Sequence, residues 1–402
     1  MDPLITLCIF ITILFLYIHI ANQFKKGEEL EIYETDYNSL KHLEDVCELK
    51  QPFLMNMSNV VPSLFSNIVP ENIAKYSSHD INMKDCNDYF LEQYSSPSSV
   101  DPIILPFNTT IKFLESDKLG HLFSENNQEF LDETNLLKKI KVVDDYLKPS
   151  FIINNKYDLL FGSCNTVTPL RYHTDSRQFL FVTNGKIKIK MTPWKSTKFL
   201  HPYNDYENYE FRSLVHPTKP HKDFSLDFEK TKFLEFEVNS GYMLYIPPYW
   251  WYSIIYLDNP STFVCNVTYN SIINCVSNIK NLSLYLLQQQ NITKKINNNK
   301  SESIIKNEII QNEENLAKID SKEDINPIQN ELIQTDPVEK TDPIEKTYPI
   351  EKTDPVEKTV EQNLEQKDPE EKQDDGSLNP VIIKDPLKKT EKENITYSIS
   401  NI

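Results

Sequence analysis

Glycine is scarce, at 6 of 402 residues. A phosphate-cradling loop needs several glycines within a few positions, so a Gly-rich nucleotide-binding protein is excluded. Cationic side chains are also in deficit: 42 Lys+Arg stand against 59 Asp+Glu, a net charge of −17. Phosphate binding needs a Lys/Arg field, so no nucleic-acid partner is expected. The six cysteines, Cys8, Cys47, Cys86, Cys164, Cys265 and Cys275, include no Cys-x-x-Cys pair. That spacing rules out a zinc knuckle or a thioredoxin-like pair, and the density is too low for a disulfide scaffold. They read as scattered reduced thiols. No nucleophile elbow or phosphate loop is found either.

Charge is missing altogether between Pro3 and Phe24, and Leu4–Ile20 is almost wholly apolar. A bilayer-spanning helix needs roughly 20 apolar residues. A signal peptide has a basic start, a shorter apolar region and a small-residue cleavage site. This segment starts with Asp2, runs longer, and gives Ala21 no small partner two residues earlier. It reads as an uncleaved single-pass anchor over residues 1–27, with residues 4–20 in the membrane. Lys25 and Lys26 follow it and no basic residue precedes it, which places the bulk of the chain in the cytosol. Seven Asn-x-Ser/Thr sequons, such as Asn108-Thr109-Thr110, are unsurprising in an Asn-rich chain and do not overturn that topology.

Residues 28–290 read as one folded domain. Leu40–Leu49 has a helical pattern and Pro52–Met57 a strand pattern, with a mixed, mostly helical region to about Lys148. Period-2 alternation then predicts strands over Asp158–Ser163, Thr168–Tyr172, Phe179–Thr183, Lys186–Thr192, Phe233–Val238, Tyr242–Ile246, Trp251–Leu257 and Thr262–Tyr269. Short strands of this number imply a mainly β fold with flanking helices, a barrel or double-sheet jelly roll. Ser271–Gln290 is expected to close the domain as one helix.

Residues 291–402 differ in kind, with 16 basic and 25 acidic side chains. A hexad of the type Thr335-Asp336-Pro337-Val338-Glu339-Lys340 occurs four times over residues 335–358. A proline in every unit forbids a continuous helix, and four such units cannot bury a core. The expectation is an extended, disordered acidic tail, either a spacer or a linear docking tract for a protein partner.

The chemistry-bearing stretch is Thr168-Pro169-Leu170-Arg171-Tyr172-His173-Thr174-Asp175. His-x-Asp on a strand puts both side chains on one face. With a distant second His, that is the layout of a 2-His-1-carboxylate iron site. His173 and Asp175 are therefore the candidate metal ligands, and Arg171, on the same face, a candidate pocket residue. Arg171, His173 and Asp175 share a parity, so they could instead satisfy one another as a buried polar trio. Trp194, Trp250 and Trp251 read as core aromatics. His201, His216 and His221 read as surface residues without metal-ligand spacing.

Four segments carry a family resemblance over roughly Glu31 to Gln290. They are Phe123-Ser124-Glu125-Asn126, then Thr168–Asp175 with Phe179-Leu180-Phe181-Val182 and Gly185, then Ser240–Pro248, and Tyr249-Trp250-Trp251-Tyr252. Together they resemble the Jumonji-C or cupin-like domain family. Lys190–Trp194 with Tyr203–Phe211 is similar to cupin-like proteins of large DNA viruses. The resemblance implies a double-stranded β-helix that holds Fe(II) and 2-oxoglutarate and hydroxylates or demethylates protein side chains.

The chain departs from that pattern at the ligand positions. The family's distal His falls on Tyr252, a neutral phenol with a pKa of about 10 and a poor Fe(II) ligand. Counting from Thr168-Pro169 puts the first two ligands on Arg171 and His173, whereas counting back from Gly185 puts them on Tyr172 and Thr174. The resemblance implies that Thr168 is the family's hydroxyl donor and, with Tyr252, a candidate pocket residue, but the lysine that pairs with 2-oxoglutarate is replaced by Ile187, and the Asp after Gly241 by Tyr242. The expectation is a degenerate, non-catalytic binding or scaffold member that needs no cofactor. An Fe(II)/2-oxoglutarate oxygenase with a rearranged triad is the alternative.

Overall fold

Alternation of residue type along each strand decides this architecture, because a one-residue step moves a side chain to the opposite face of a sheet. In the computed structural model, residues 3–90, 97–258, 262–291 and 382–384 are described. The larger sheet runs in the order β16 (Ile382–Lys384), β1 (Ile32–Glu34), β2 (Phe53–Asn56), β13 (Tyr242–Ile246), β8 (Arg177–Asn184), β15 (Phe263–Ser271), β6 (Ile152–Gly162), β5 (Leu122–Ser124), β3 (Asp80–Asp85) and β4 (Ile103–Pro106). The smaller sheet runs β10 (Pro202–Asp205), β11 (Glu210–Ser213), β7 (Arg171–Tyr172), β14 (Trp251–Tyr256), β9 (Lys186–Thr192) and β12 (Leu234–Asn239). From β6 to β9 successive strands switch sheets, and they do so again from β12 to β15. That winding is the double-stranded β-helix of the jelly-roll class.

The central strands of the larger sheet are buried on both faces. Phe179 and Phe181 of β8, Met243 and Tyr245 of β13, and Cys265, Val267 and Tyr269 of β15 pack outward with the helical layer. Their alternates Leu180, Val182, Leu244, Ile246 and Val264 point into the barrel. There they meet Ile187, Ile189 and Met191 of β9 and Ile254 and Tyr256 of β14. The lysines of Lys186–Lys190 face outward, and Lys188 and Lys190 reach Glu235 at 2.6 and 3.0 Å. At one end of the barrel the inward positions turn polar: Gln178, Asn266, Thr268, Asp158 and Lys156. That end is the mouth.

The eight strands expected from alternation are all present, with ends shifted by a few residues. Seven others among the described residues were not expected, and β1 and the tail strand β16 are two of them. β3, β4 and β5 extend the larger sheet inside the region read as mostly helical, and β10 and β11 form a hairpin in the insertion. The closing helix is two helices, Ile272–Ser277 and Ile279–Asn291. They part at the buried Asn278, whose amide donates to the carbonyls of Thr174 and Asn274. His216, expected at the surface, lies against Phe90 at a ring-centroid distance of 4.7 Å, and burial pulls its pKa down to about 4.

The first helix, Pro3–Gln23, has no buried residue and a mean hydropathy of 2.6, long and apolar enough to span a membrane. Its last turn touches the domain, where Asn22 donates to Glu48 at 3.2 Å. The linker that follows is docked as well. Gly27 lies so close to the Lys50 carbonyl that an added Cβ would sit 2.0 Å from that oxygen. Lys26 Nζ lies 3.7 Å from the Trp194 ring centroid and 4.6 Å from that of Tyr249. In the tail, Ile382–Lys384 pairs in parallel with β1. The hexads at 335–358 and the expected disorder of the remaining tail lie outside the described residues.

Candidate functional site

The mouth of the barrel encloses a cavity of about 360 Å³. Register fixes what faces it. β7 and β14 are neighbours, and Arg171 lies directly opposite Tyr252. Arg171, Tyr172, His173, Thr174 and Asp175 all reach the lining of the cavity. The ring of Tyr172, which also borders the cavity, packs on Phe211, Trp194 and Trp251.

Arg171 forms a two-pronged ion pair with Glu125: Nη2 donates to Oε2 at 2.6 Å and Nη1 to Oε1 at 3.0 Å. Nη1 also reaches Glu210 at 3.3 Å. Glu125 takes a further bond from Lys84 Nζ at 3.1 Å, and Lys84 is 3% exposed. Beyond Glu210 stands the fully buried Arg212, 3.8 Å from both Glu210 and Asp205. The order Lys84, Glu125, Arg171, Glu210, Arg212, Asp205 alternates in sign and balances. Burial alone would raise the Glu125 pKa, but the neighbouring Arg171 and then Lys84 outweigh it and hold the carboxyl at about 2. Shared hydrogen bonds make such a buried set cohere where a lone charge could not persist.

The trio divides: Arg171 pairs with the two glutamates, while His173 and Asp175 stay electrostatically coupled and each takes a further partner. His173 is 8% exposed, and its Nε2 lies 3.0 Å from the Ile246 carbonyl. A carbonyl only accepts, so Nε2 carries the proton and Nδ1 is the bare lone pair. Burial lowers the His173 pKa, which keeps the ring neutral. Asp175 accepts from Asn270 at 2.5 Å. Tyr252 accepts from Gln178 at 3.1 Å, and burial raises its pKa, so it stays a phenol.

Thr168 does not line the cavity. Its hydroxyl accepts the Ile254 N–H at 2.9 Å, and its own N–H donates to the Ile254 carbonyl at 2.9 Å. Ile187 is fully buried in the apolar barrel core. Tyr242 stands at the start of β13, its hydroxyl 3.5 Å from Glu34 and away from the mouth. Trp250 and Trp251 are fully buried core residues.

Residue pattern alone missed Lys84, Glu125, Glu210 and Gln178 as members of the site. The available signal was Arg171 itself: an inward-facing guanidinium demands a buried carboxylate, and Glu125 lies in one of the segments that carried the resemblance. Three buried atoms at the mouth have no hydrogen-bond partner: Arg171 Nε, His173 Nδ1 and Gln178 Oε1. Buried polar atoms are rarely left so, and a bound molecule is one way to satisfy them.

Residues 66–275 match the family model described as the cupin-like domain. The chain belongs to the cupin-like domain family. This cupin-like domain is also similar to JmjC domain-containing protein D of Dictyostelium discoideum, at 27% identity over 192 residues. The match covers 47% of this chain and 42% of that protein, so the chain spans less than half of its curated relative.

A resident Fe(II) with 2-oxoglutarate does not fit the cupin-like mouth. A guanidinium at Arg171 repels a divalent cation, Tyr252 offers a protonated phenol, and His173 leaves a single lone pair. No group of three or more His, Cys, Asp or Glu has metal-holding geometry among the described residues.

Proposed function

We propose that this chain is a membrane-anchored, non-catalytic cupin-like protein whose barrel mouth binds a small polar ligand. The observation that carries this reading is the Arg171 guanidinium, facing Tyr252 and clasped by Glu125, where the family resemblance implies iron. The ion-pair chain is balanced in itself, and Lys156, Asp158 and Asp175 also line the mouth, so the ligand is expected to be small and polar with groups of its own for these side chains. Its donors and acceptors would answer Arg171 Nε, His173 Nδ1 and Gln178 Oε1.

The full chain, purified in detergent, is expected to retain no stoichiometric iron and to form no succinate from 2-oxoglutarate. Elemental analysis and a succinate assay read both. One equivalent of Fe(II) lost on His173→Ala, or succinate formation abolished by Asp175→Ala, would replace this reading with that of an oxygenase with a rearranged triad.

The anchor in this reading is Pro3–Gln23, and Lys25 and Lys26 favour a cytosolic domain. Asn108 is exposed and heads a sequon. In eukaryotic cells the full chain is therefore expected to show no mobility change on endoglycosidase treatment. A shift abolished by Asn108→Gln would reverse the orientation.

A further inference from the structure

A second cavity, of about 500 Å³, lies where the first helix meets the domain. Its walls include His19 and Gln23 of that helix, Glu44, Glu48 and Lys50, and Arg177 at the start of β8. Two of these are buried cations, Lys50 at 5% exposure and Arg177 at 8%. Arg177 Nη1 is buried without a hydrogen-bond partner, and Nη2 lies 3.9 Å from Glu44 Oε1. Lys50 has no carboxylate within ion-pair distance among the described residues. Burial lowers its pKa, as expected for an ammonium with little compensation. Arg177 thus has one long ion pair and an unsatisfied Nη1, and Lys50 has no carboxylate in contact, so both groups can still take up an anion.

The cavity also carries the opposite sign. Glu44 and Glu48 line it beside the two cations, and Asp45 joins them. A ligand with an anion at one end and a cation at the other meets both sets. The height of the cavity narrows the class further. His19 and Gln23 end the apolar helix, so they stand where acyl chains give way to headgroups. This step rests on the membrane-spanning reading.

Apolar side chains stand beside the cavity. Phe151, one of its lining residues, is 82% exposed. Ile272 donates its N–H to the Phe151 carbonyl at 3.4 Å, and the helix Ile272–Ser277 packs on Pro3–Gln23. Ile272 and Val276 of that helix are 50% and 46% exposed. Apolar surface of this kind next to a spanning helix suits contact with acyl chains.

We infer that this cavity binds the headgroup of a zwitterionic phospholipid, with the phosphate on Lys50 and Arg177 and the ammonium group on Glu44 and Glu48. A soluble glycerophosphodiester of choline has the same polar chemistry and forms a separate arm of the test.

The test uses the full chain in detergent, titrated with dihexanoyl-phosphatidylcholine, dihexanoyl-phosphatidylglycerol and glycerophosphocholine and followed by native mass spectrometry. Phosphatidylcholine is expected to bind about ten-fold more tightly than either of the others. Lys50→Met weakens both lipids. Glu48→Gln, at an exposed side chain that the fold tolerates, weakens phosphatidylcholine alone. Equal binding of the two lipids, or indifference to Glu48→Gln in a protein of unchanged circular dichroism, overturns the inference. Glycerophosphocholine binding as tightly as the lipid overturns the membrane assignment. Alkaline carbonate extraction of the same chain reports on the anchor separately, so loss of anchoring and loss of the site are distinguishable.

Discussion

The Glu125→Ala protein is expected to be less stable than the parent by about 3–5 kcal/mol in urea unfolding of the full chain. The loss exceeds that of an ordinary hydrogen bond because of what stays behind. Lys84 and Arg171 would keep their positive charges in a buried place with their shared anion gone. A buried charge deprived of its partner costs its full desolvation, whereas removal of the whole set together does not. The triple variant Lys84→Met, Glu125→Leu, Arg171→Met removes both stranded cations with their anion and leaves Glu210 on Arg212 alone, so it should recover part of the loss. Wild-type stability for Glu125→Ala, or a triple variant as weak as the single one, would refute the account of the site as a mutually dependent charge set.

Acid should expose the same set from the other side. The Glu125 carboxyl is held at about 2 by Arg171 and Lys84, against an ordinary value of 4.5. A depressed carboxyl pKa contributes stability that is complete above the ordinary value and is lost as pH falls towards the folded one. The comparison that isolates it is the parent against Glu125→Gln, a neutral mimic of the protonated acid. The difference in unfolding free energy between them should shrink by about 3 kcal/mol as pH falls from 5 to 2. Urea titrations at stepped pH measure it. A difference that stays constant across that window would mean that Glu125 does not titrate as the structure implies.

The barrel was legible because its strands obey the two-residue rule without exception over their central portions. Lys186–Thr192 and Tyr242–Ile246 have the same ends in sequence pattern and structure, the first with isoleucines inward and lysines outward, the second a short apolar run buried on both faces and bounded by Gly241 and Pro247. β10 and β11 escaped notice because neither has a clear apolar face. Their hairpin is held by Asp205, whose carboxylate takes the N–H groups of Glu207 and Asn208 at 2.8 and 3.2 Å. β5 was hidden by brevity, and β3, Asp80–Asp85, lacks a clean apolar alternation and owes its pairing to segments distant in the chain.

At the mouth, sequence pattern identified the unusual residues but not their company. Tyr252 lines the mouth, whereas Ile187, aligned by the resemblance with the lysine that pairs with 2-oxoglutarate, lies in the apolar core and does not line the cavity. The partners of Arg171 could not be read, because Glu125 precedes it by 46 positions and Glu210 follows by 39. Parity grouped Arg171, His173 and Asp175 correctly up to the end of β7, after which the chain leaves the strand and each side chain takes its own partner. Thr168 was misjudged because a hydroxyl at a strand edge serves the neighbouring backbone as readily as a ligand.

The docked linker has a mechanical consequence. Gly27 is wedged against the Lys50 carbonyl and Lys26 is seated on two aromatic rings, so only a few residues separate the end of the first helix from fixed points on the barrel. Such a short, pinned joint leaves little swivel. A tilt of the helix would be passed to the barrel as through a rigid lever, and the protein would present one constant aspect to whatever approaches it.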